Sequence, residues 1–158
     1  MEATIAKIKK NASAEIWVSL REFQDRQYVD VREHFLSGDD HQWHATKKGL
    51  MVDPKLLVEM VVGVEHLGTV SELGTVATIA KSKQQEIRIG YRQFANSRYG
   101  EIRVWYKNGE EHKPSNKGVT FRLNLVEQLR SALAQSVGYL ESNSEPSLAA
   151  ELAQTAVR

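Results

Sequence analysis

Hydrophobic and polar positions along the chain spell out strands followed by a helix, and then do so again. Ile16, Val18 and Leu20 alternate with Trp17, Ser19 and Arg21, the period-two pattern of a strand with one buried face. Tyr28 to Leu36 is rich in β-branched and aromatic residues and predicts a second strand. Ser37-Gly38-Asp39-Asp40 has turn chemistry. Trp43 to Val52 predicts two short strands or one bent one, with Gly49 marking a bulge or tight bend. Asp53-Pro54 then signals a helix start, a side-chain cap followed by proline at the first position. Leu56, Leu57, Met60, Val64 and Leu67 fall on one face of that helix.

The same order returns about seventy residues later. An offset of 71 sets Ile16–Phe23 on Ile87–Phe94, Tyr28 on Tyr99, Val31 on Ile102, Arg32 on Arg103 and Phe35 on Tyr106. With two residues removed from the second copy the offset becomes 69, and Lys48-Gly49-Leu50 meets Lys117-Gly118-Val119, Leu56 meets Leu125 and Met60 meets Leu129. The single indel falls in a turn. The second copy therefore predicts strands at Ile87/Ile89/Tyr91, at Tyr99 to Lys107 and at Gly118 to Arg122, with a turn at Asn108-Gly109. Its helix is expected to begin at Asn124, with Glu127 at capping-box spacing, and to bury Leu125, Leu129, Leu133, Val137 and Leu140. Units of this size bury too little surface to stand alone. Two in one chain solve the problem by packing sheets and helices about an approximate two-fold axis, as a fused homodimer would. The predicted organisation is a mobile N-terminal segment (1–15), a first repeat (16–67), a linker (68–86), a second repeat (87–140) and a C-terminal tail (141–158), with a short extra helix over Leu148 to Val157.

Composition narrows the function. The 158 residues are 41% hydrophobic and 26% charged, a globular mixture rather than a disordered one. No apolar run approaches the roughly 20 residues of a membrane-spanning helix, and the start of the chain lacks the pattern of a secretory signal. With no cysteine in the sequence, disulfides, thiolate catalysis and cysteine-type zinc sites are excluded, and the composition fits a reducing compartment. The net charge of +1 conceals an asymmetry: six Lys/Arg stand against nine Asp/Glu in 16–67, and nine against four in 87–140. A basic half suggests an anionic partner.

Catalytic patterns are weak. His41 and His44 lie beside Asp39 and Asp40, but in a turn and strand where solvated polar residues are the simpler reading, and the second copy keeps only His112. No phosphate loop, nucleophile elbow or carboxylate pair is visible. The strands say more. With Ile, Val and Leu on one face, the other carries Arg21 and Phe23 in the first copy and Arg88, Arg92 and Phe94 in the second. A phenylalanine on a polar sheet face beside guanidinium groups suits base stacking, which contributes roughly 1–3 kcal/mol per base. A solvated basic face with edge aromatics would leave the same pattern.

Arg21-Glu22-Phe23, Tyr28 to Phe35, Lys47-Lys48-Gly49-Leu50 and Asp53-Pro54 resemble, in order and spacing, the single-stranded-DNA-binding domain of the transcriptional coactivator positive cofactor four, whose general plan the Whirly proteins share. The internal repeat extends the resemblance to 87–140. It implies an α+β fold of two β-β-β-β-α repeats, an intrachain pseudo-dimer with curved antiparallel sheets and packed helices. It further implies that single strands lie in channels lined by aromatic and basic side chains. By position the stacking residues would be Phe23 and Phe35, then Phe94 and Tyr106, and the phosphate-facing ones Arg32, Lys47 and Lys48, then Arg103, Lys113 and Lys117. Strict alternation puts Arg32 and Phe35 on opposite faces; either a bulge or strong curvature intervenes, or Trp105, on the Arg103 face, stacks in the second copy. His44 stands where the second copy has Lys113, and Asn116 stands opposite Lys47.

The expectation is a non-catalytic single-stranded DNA-binding protein, with RNA as an alternative ligand, using neither metal nor cofactor. It would act in transcription, replication or repair, with transcription or replication proteins as further partners and no membrane. Its location would be the cytoplasm and nucleoid of a bacterium or the nucleus of a eukaryote. The competing expectation is a protein-interaction or structural module that keeps the fold without binding nucleic acid.

Overall fold

Each repeat is built around one tight hairpin. Gln24 and Asp25 have φ of 52° and 63°, and Ala95 and Asn96 have 48° and 67°. Two successive positive-φ residues make the two-residue loop whose twist matches that of the flanking strands. From these loops the pairing runs without a slip, from Phe23–Arg26 to Ala14–Phe35 in the first repeat and from Phe94–Ser97 to Gln85–Tyr106 in the second.

A computed structural model describes residues 2–143. The first antiparallel sheet holds β1 (Ala3–Asn11), β2 (Ala14–Phe23), β3 (Arg26–Leu36) and β4 (Trp43–Val52) in chain order. A 3-10 turn at Pro54–Leu56 leads into α1 (Leu57–Leu67). The second sheet repeats the plan with β5 (Gly74–Ala80), β6 (Gln85–Phe94), β7 (Ser97–Asn108) and β8 (Glu111–Phe121), then a 3-10 turn at Leu123–Leu125 and α2 (Val126–Asn143). The fold is the α+β pseudo-dimer of two four-stranded repeats.

The helices are exchanged between the repeats. α1 lies against β5 and β6 of the second sheet, α2 against β1 and β2 of the first, and the two helices pack on each other. Met60, Val64 and Leu67 from α1, and Leu129 and Leu133 from α2, are at most 1% exposed and join Val18, Val31, Ile89 and Ile102 in one core. Each such side chain contributes roughly 1.5–3 kcal/mol on burial, so neither sheet keeps its roof without the other repeat. Gly63 permits the close approach of α1: a Cβ there would sit 2.7 Å from Ile89 Cδ1 and 3.1 Å from Ala77 Cβ. At the far side the sheets meet along β4 and β8.

Several expectations are corrected. Residues 3–11, expected within a mobile segment, form a strand paired with β2, and 74–80, expected within a linker, form its counterpart on β6. The repeats thus begin well before residues 16 and 87, and the connection between them shortens to 68–73. With these strands included, 3–67 carries nine Lys/Arg against ten Asp/Glu, and 74–143 carries eleven against six. β4 is one strand with a bulge. Asp53 caps as expected, accepting from Lys55 N at 3.1 Å. Asn124 does not cap: it lies inside the second 3-10 turn, and Glu127 instead pairs with Arg130 at 2.6 Å. The helix expected over Leu148 to Val157 lies outside the described residues.

Candidate functional site

The basic residues of β4 and β8 are presented by a bulge that both repeats share. Arg32 faces Gly49 and His34 faces Ala45, so β4 spends two extra residues over that step; Arg103–Gly118 and Trp105–Pro114 repeat it. Glycine is required where the bulge closes, because a Cβ would lie 2.7 Å from Val31 O at Gly49 and 2.6 Å from Ile102 O at Gly118. A hydroxyl pins each loop. Thr46 Oγ1 donates to Glu33 O at 2.8 Å and accepts from Lys48 N at 3.1 Å, while Ser115 Oγ donates to Val104 O at 2.7 Å and accepts from Lys117 N at 3.1 Å. Arg32 and Arg103 each donate through Nη1, at 3.0 Å, to the carbonyl of Thr46 and Ser115 respectively. Lys47, Lys48, Asn116 and Lys117 are left exposed. Because β4 and β8 adjoin, side chains of both bulges line the seam between the sheets.

The strand arginines are held in place by carboxylates. Arg32 pairs with Asp30 at 3.0 Å, Arg103 with Glu101 at 3.0 Å, and Arg92 reaches the same Glu101 at 3.5 Å. Arg21 lies 3.6 Å from Glu2. Beside them, on the face turned away from the helices, are the indoles. Trp17 stacks on His34 with ring centroids 3.9 Å apart, has Lys7 Nζ 4.2 Å from its centroid and donates to Glu15 at 2.9 Å. In the second repeat Arg88 covers Trp105 at 4.1 Å and is itself fixed by Glu86 at 2.6 Å. Trp105 Nε1 is buried without a hydrogen-bond partner. Burial lowers the pKa of His34, against the opposing pull of the Arg32 carbonyl and Asp30, so the stacked ring is neutral at neutral pH.

Phe23 and Phe94 stand at the hairpin tips, 59% and 73% exposed. Strand alternation places them on the face of Trp17 and Arg88. Phe35 and Tyr106 are also exposed, but at the opposite ends of their sheets. Ala14, the partner of Phe35, is separated from Phe23 by the whole of β2, about 30 Å at ordinary strand rise. The unbroken pairing of β2 with β3 also leaves Arg32 and Phe35 on opposite faces; the bulge lies in β4 and does not reconcile them. The expected aromatics therefore do not converge on one spot. Lys113 is exposed beside Tyr106, whereas His44, its counterpart, is tied to Asp40 at 2.6 Å and tilts against Phe35.

Lys81 is a seam residue that the sequence pattern placed in a linker. The signal was present: the 71-residue offset carries Thr4-Ile5-Ala6 onto Thr75-Val76-Ala77 and Lys10 onto Lys81. Among the described residues no group of three or more His, Asp or Glu could hold a metal ion, and no helix is long and apolar enough to cross a membrane.

The profile of the family described as Transcriptional Coactivator p15 (PC4) matches this chain twice, over residues 10–61 and 81–132. The chain belongs to this family. PC4 membership supports a nucleic-acid-binding cofactor, and one match falls within each of the two repeats. Similar solved structures include a PC4 homologue of Burkholderia pseudomallei in two crystal forms. The orthorhombic form is 26% identical with a TM-score of 0.39, over 42% of this chain and 92% of its own. The tetragonal form is 27% identical with a TM-score of 0.39, over 41% and 97%. No curated protein gives a significant match.

Proposed function

We propose that this PC4-family chain is a non-catalytic single-stranded-DNA-binding protein, a cofactor of transcription, replication or repair. The observation that carries the reading is the pair of hydroxyl-pinned bulges, which set Lys47, Lys48 and Lys117 along the seam where β4 meets β8. Lysines so placed neutralise phosphates and release counterions. Phe23 and Phe94, exposed on the sheet face that also carries the arginines, offer surfaces on which unpaired bases stack. Arg21, Arg32, Arg92 and Arg103 are oriented by their carboxylate partners and keep further guanidinium donors for phosphate. Trp105 lies on this arginine face beneath Arg88, whereas Phe35, Tyr106 and Lys113 lie on the opposite face at the far ends of the strands and are not part of this surface. RNA offers the same chemistry, since none of these contacts requires the absence of a 2′-hydroxyl.

Titration with oligothymidine at several salt concentrations, followed by tryptophan fluorescence, tests the reading. Affinity that falls steeply with salt, and duplex DNA that binds worse, are the expected results; no binding at low salt overturns it. The bulge lysines should count unequally. Lys48 Nζ lies 3.7 Å from Glu33, while Lys117 has no acidic partner among the described residues. Lys117→Glu should therefore weaken oligothymidine binding more than Lys48→Glu, and equal losses would refute the asymmetry. A protein-interaction module is the second reading, favoured by Val58 and Val62, 60% and 57% exposed one turn apart on α1.

A further inference from the structure

Two grooves flank the seam, and the repeat relates them. The first, of about 410 Å³, is lined by Arg32 from one repeat and by Lys81, Val104, Asn116 and Lys117 from the other, with Lys47 at its edge. The second, of about 440 Å³, has Arg103, Lys47, Lys48 and Asn116, but Glu33 where the first has Val104. The offset of 71 pairs Glu33 with Val104 and Lys10 with Lys81.

That one exchange changes the electrostatics of the two sites. Glu33 binds Lys10 Nζ at 2.5 Å and draws Lys48 to 3.7 Å, with only 15% of its side chain exposed. The second groove thus supplies its own counter-ion. In the first, Val104 is buried and neutral, and Lys47, Lys81 and Lys117 have no carboxylate partner among the described residues. Lys81 is exposed overall, but desolvation of its ammonium, and to a lesser degree the charge of Lys117, lower its pKa.

We propose that the grooves have diverged, so that the one lined by Arg32, Lys81 and Lys117 is a phosphodiester site completed by the ligand, while its mate is closed by Glu33. This rests on the single-strand reading above and assigns its phosphate contacts to one side of the seam. A strand entering here is held by cations from both repeats at once.

The test compares Lys81→Gln with Glu33→Gln, both outside the hydrophobic core, in fluorescence titrations with oligothymidine. Lys81→Gln should weaken binding about three- to fivefold and make the log–log salt dependence shallower by about one. Glu33→Gln, by opening the second groove, should tighten binding. Lys81→Gln that binds as the wild type does, or Glu33→Gln that binds no better, overturns the proposal. A second readout is independent of DNA: lysine acetylation mapped by mass spectrometry with and without inorganic tripolyphosphate. Protection of Lys81 and Lys117 well beyond that of Lys10 and Lys48 is expected, and equal protection overturns the groove assignment. Should oligothymidine fail to bind while tripolyphosphate shields Lys81, the single-strand reading falls and the anion groove stands.

Discussion

Replacing Gly118 by alanine tests whether the bulge is a built device or a passive irregularity. The added Cβ would lie 2.6 Å from Ile102 O and 2.9 Å from both Cα and Cβ of Arg103, where ordinary contact is 3.4–4 Å. The first obstacle is main chain of the neighbouring strand and cannot swing aside as a side-chain tip could. Relief must come from separating β7 and β8 at the step where Arg103 donates to Ser115 O and Ser115 donates to Val104 O. Overpacking of this kind costs about 1–3 kcal/mol, and at roughly 2–4 °C per kcal/mol for a chain of this size the melting temperature should fall by about 2–12 °C. Gly49→Ala, with Val31 O at 2.7 Å, should behave alike. Gly38→Ala is the control: its Cβ meets no atom within 4 Å, and the unfolded-state entropy it removes should leave stability unchanged or higher by about 0.4–1 kcal/mol. Thermal melts by circular dichroism decide the matter. A Gly118→Ala protein melting with or above the wild type would show that the bulge closes without glycine and that the steric account is wrong.

Two further outcomes follow from packing and protonation. Leu133→Ala should cost about 2–5 kcal/mol and, because α2 covers the first sheet, should unfold both repeats in one transition; two separate transitions in urea would refute the exchanged-helix account. Burial holds the pKa of His34 below its ordinary 6.5, so below that value the unfolded chain binds more protons and stability declines as pH falls through the folded-state pKa. His34→Phe keeps a ring against Trp17 and should flatten this decline, measured as urea midpoints across the acid range; an unchanged slope would assign it elsewhere.

The strands of the central hairpins and the helix stripes were legible because their burial follows a clean period: Ile16, Val18 and Leu20, or Met60, Val64 and Leu67, mark one face each. β1 and β5 were not. Each carries one fully buried hydrophobic, Ile8 or Ile79, and each breaks its register between Thr4 and Ala6 or between Thr75 and Ala77, which erases the alternation. Gly49 announced its bulge, but the direction in which the lysines leave it depends on the hydroxyl bonds of Thr46. Glu33 and Val104 look unremarkable as letters in two strands; their weight comes from Lys10 and Lys81, which reach the seam only after β1 and β5 have paired. Periodicity records which face of an element is covered and not which element covers it, so the exchange of α1 and α2 could not be read.

The short connection at 68–73 makes assembly of the two halves a first-order event. Short tethers hold their ends at effective concentrations in the millimolar range, so dilution does not separate sheets whose roofs are exchanged. Two free subunits would drift apart when scarce, and every change in one would be forced on its twin. A single polypeptide escapes both constraints: it stays whole at a few copies per cell, and its halves are free to age differently.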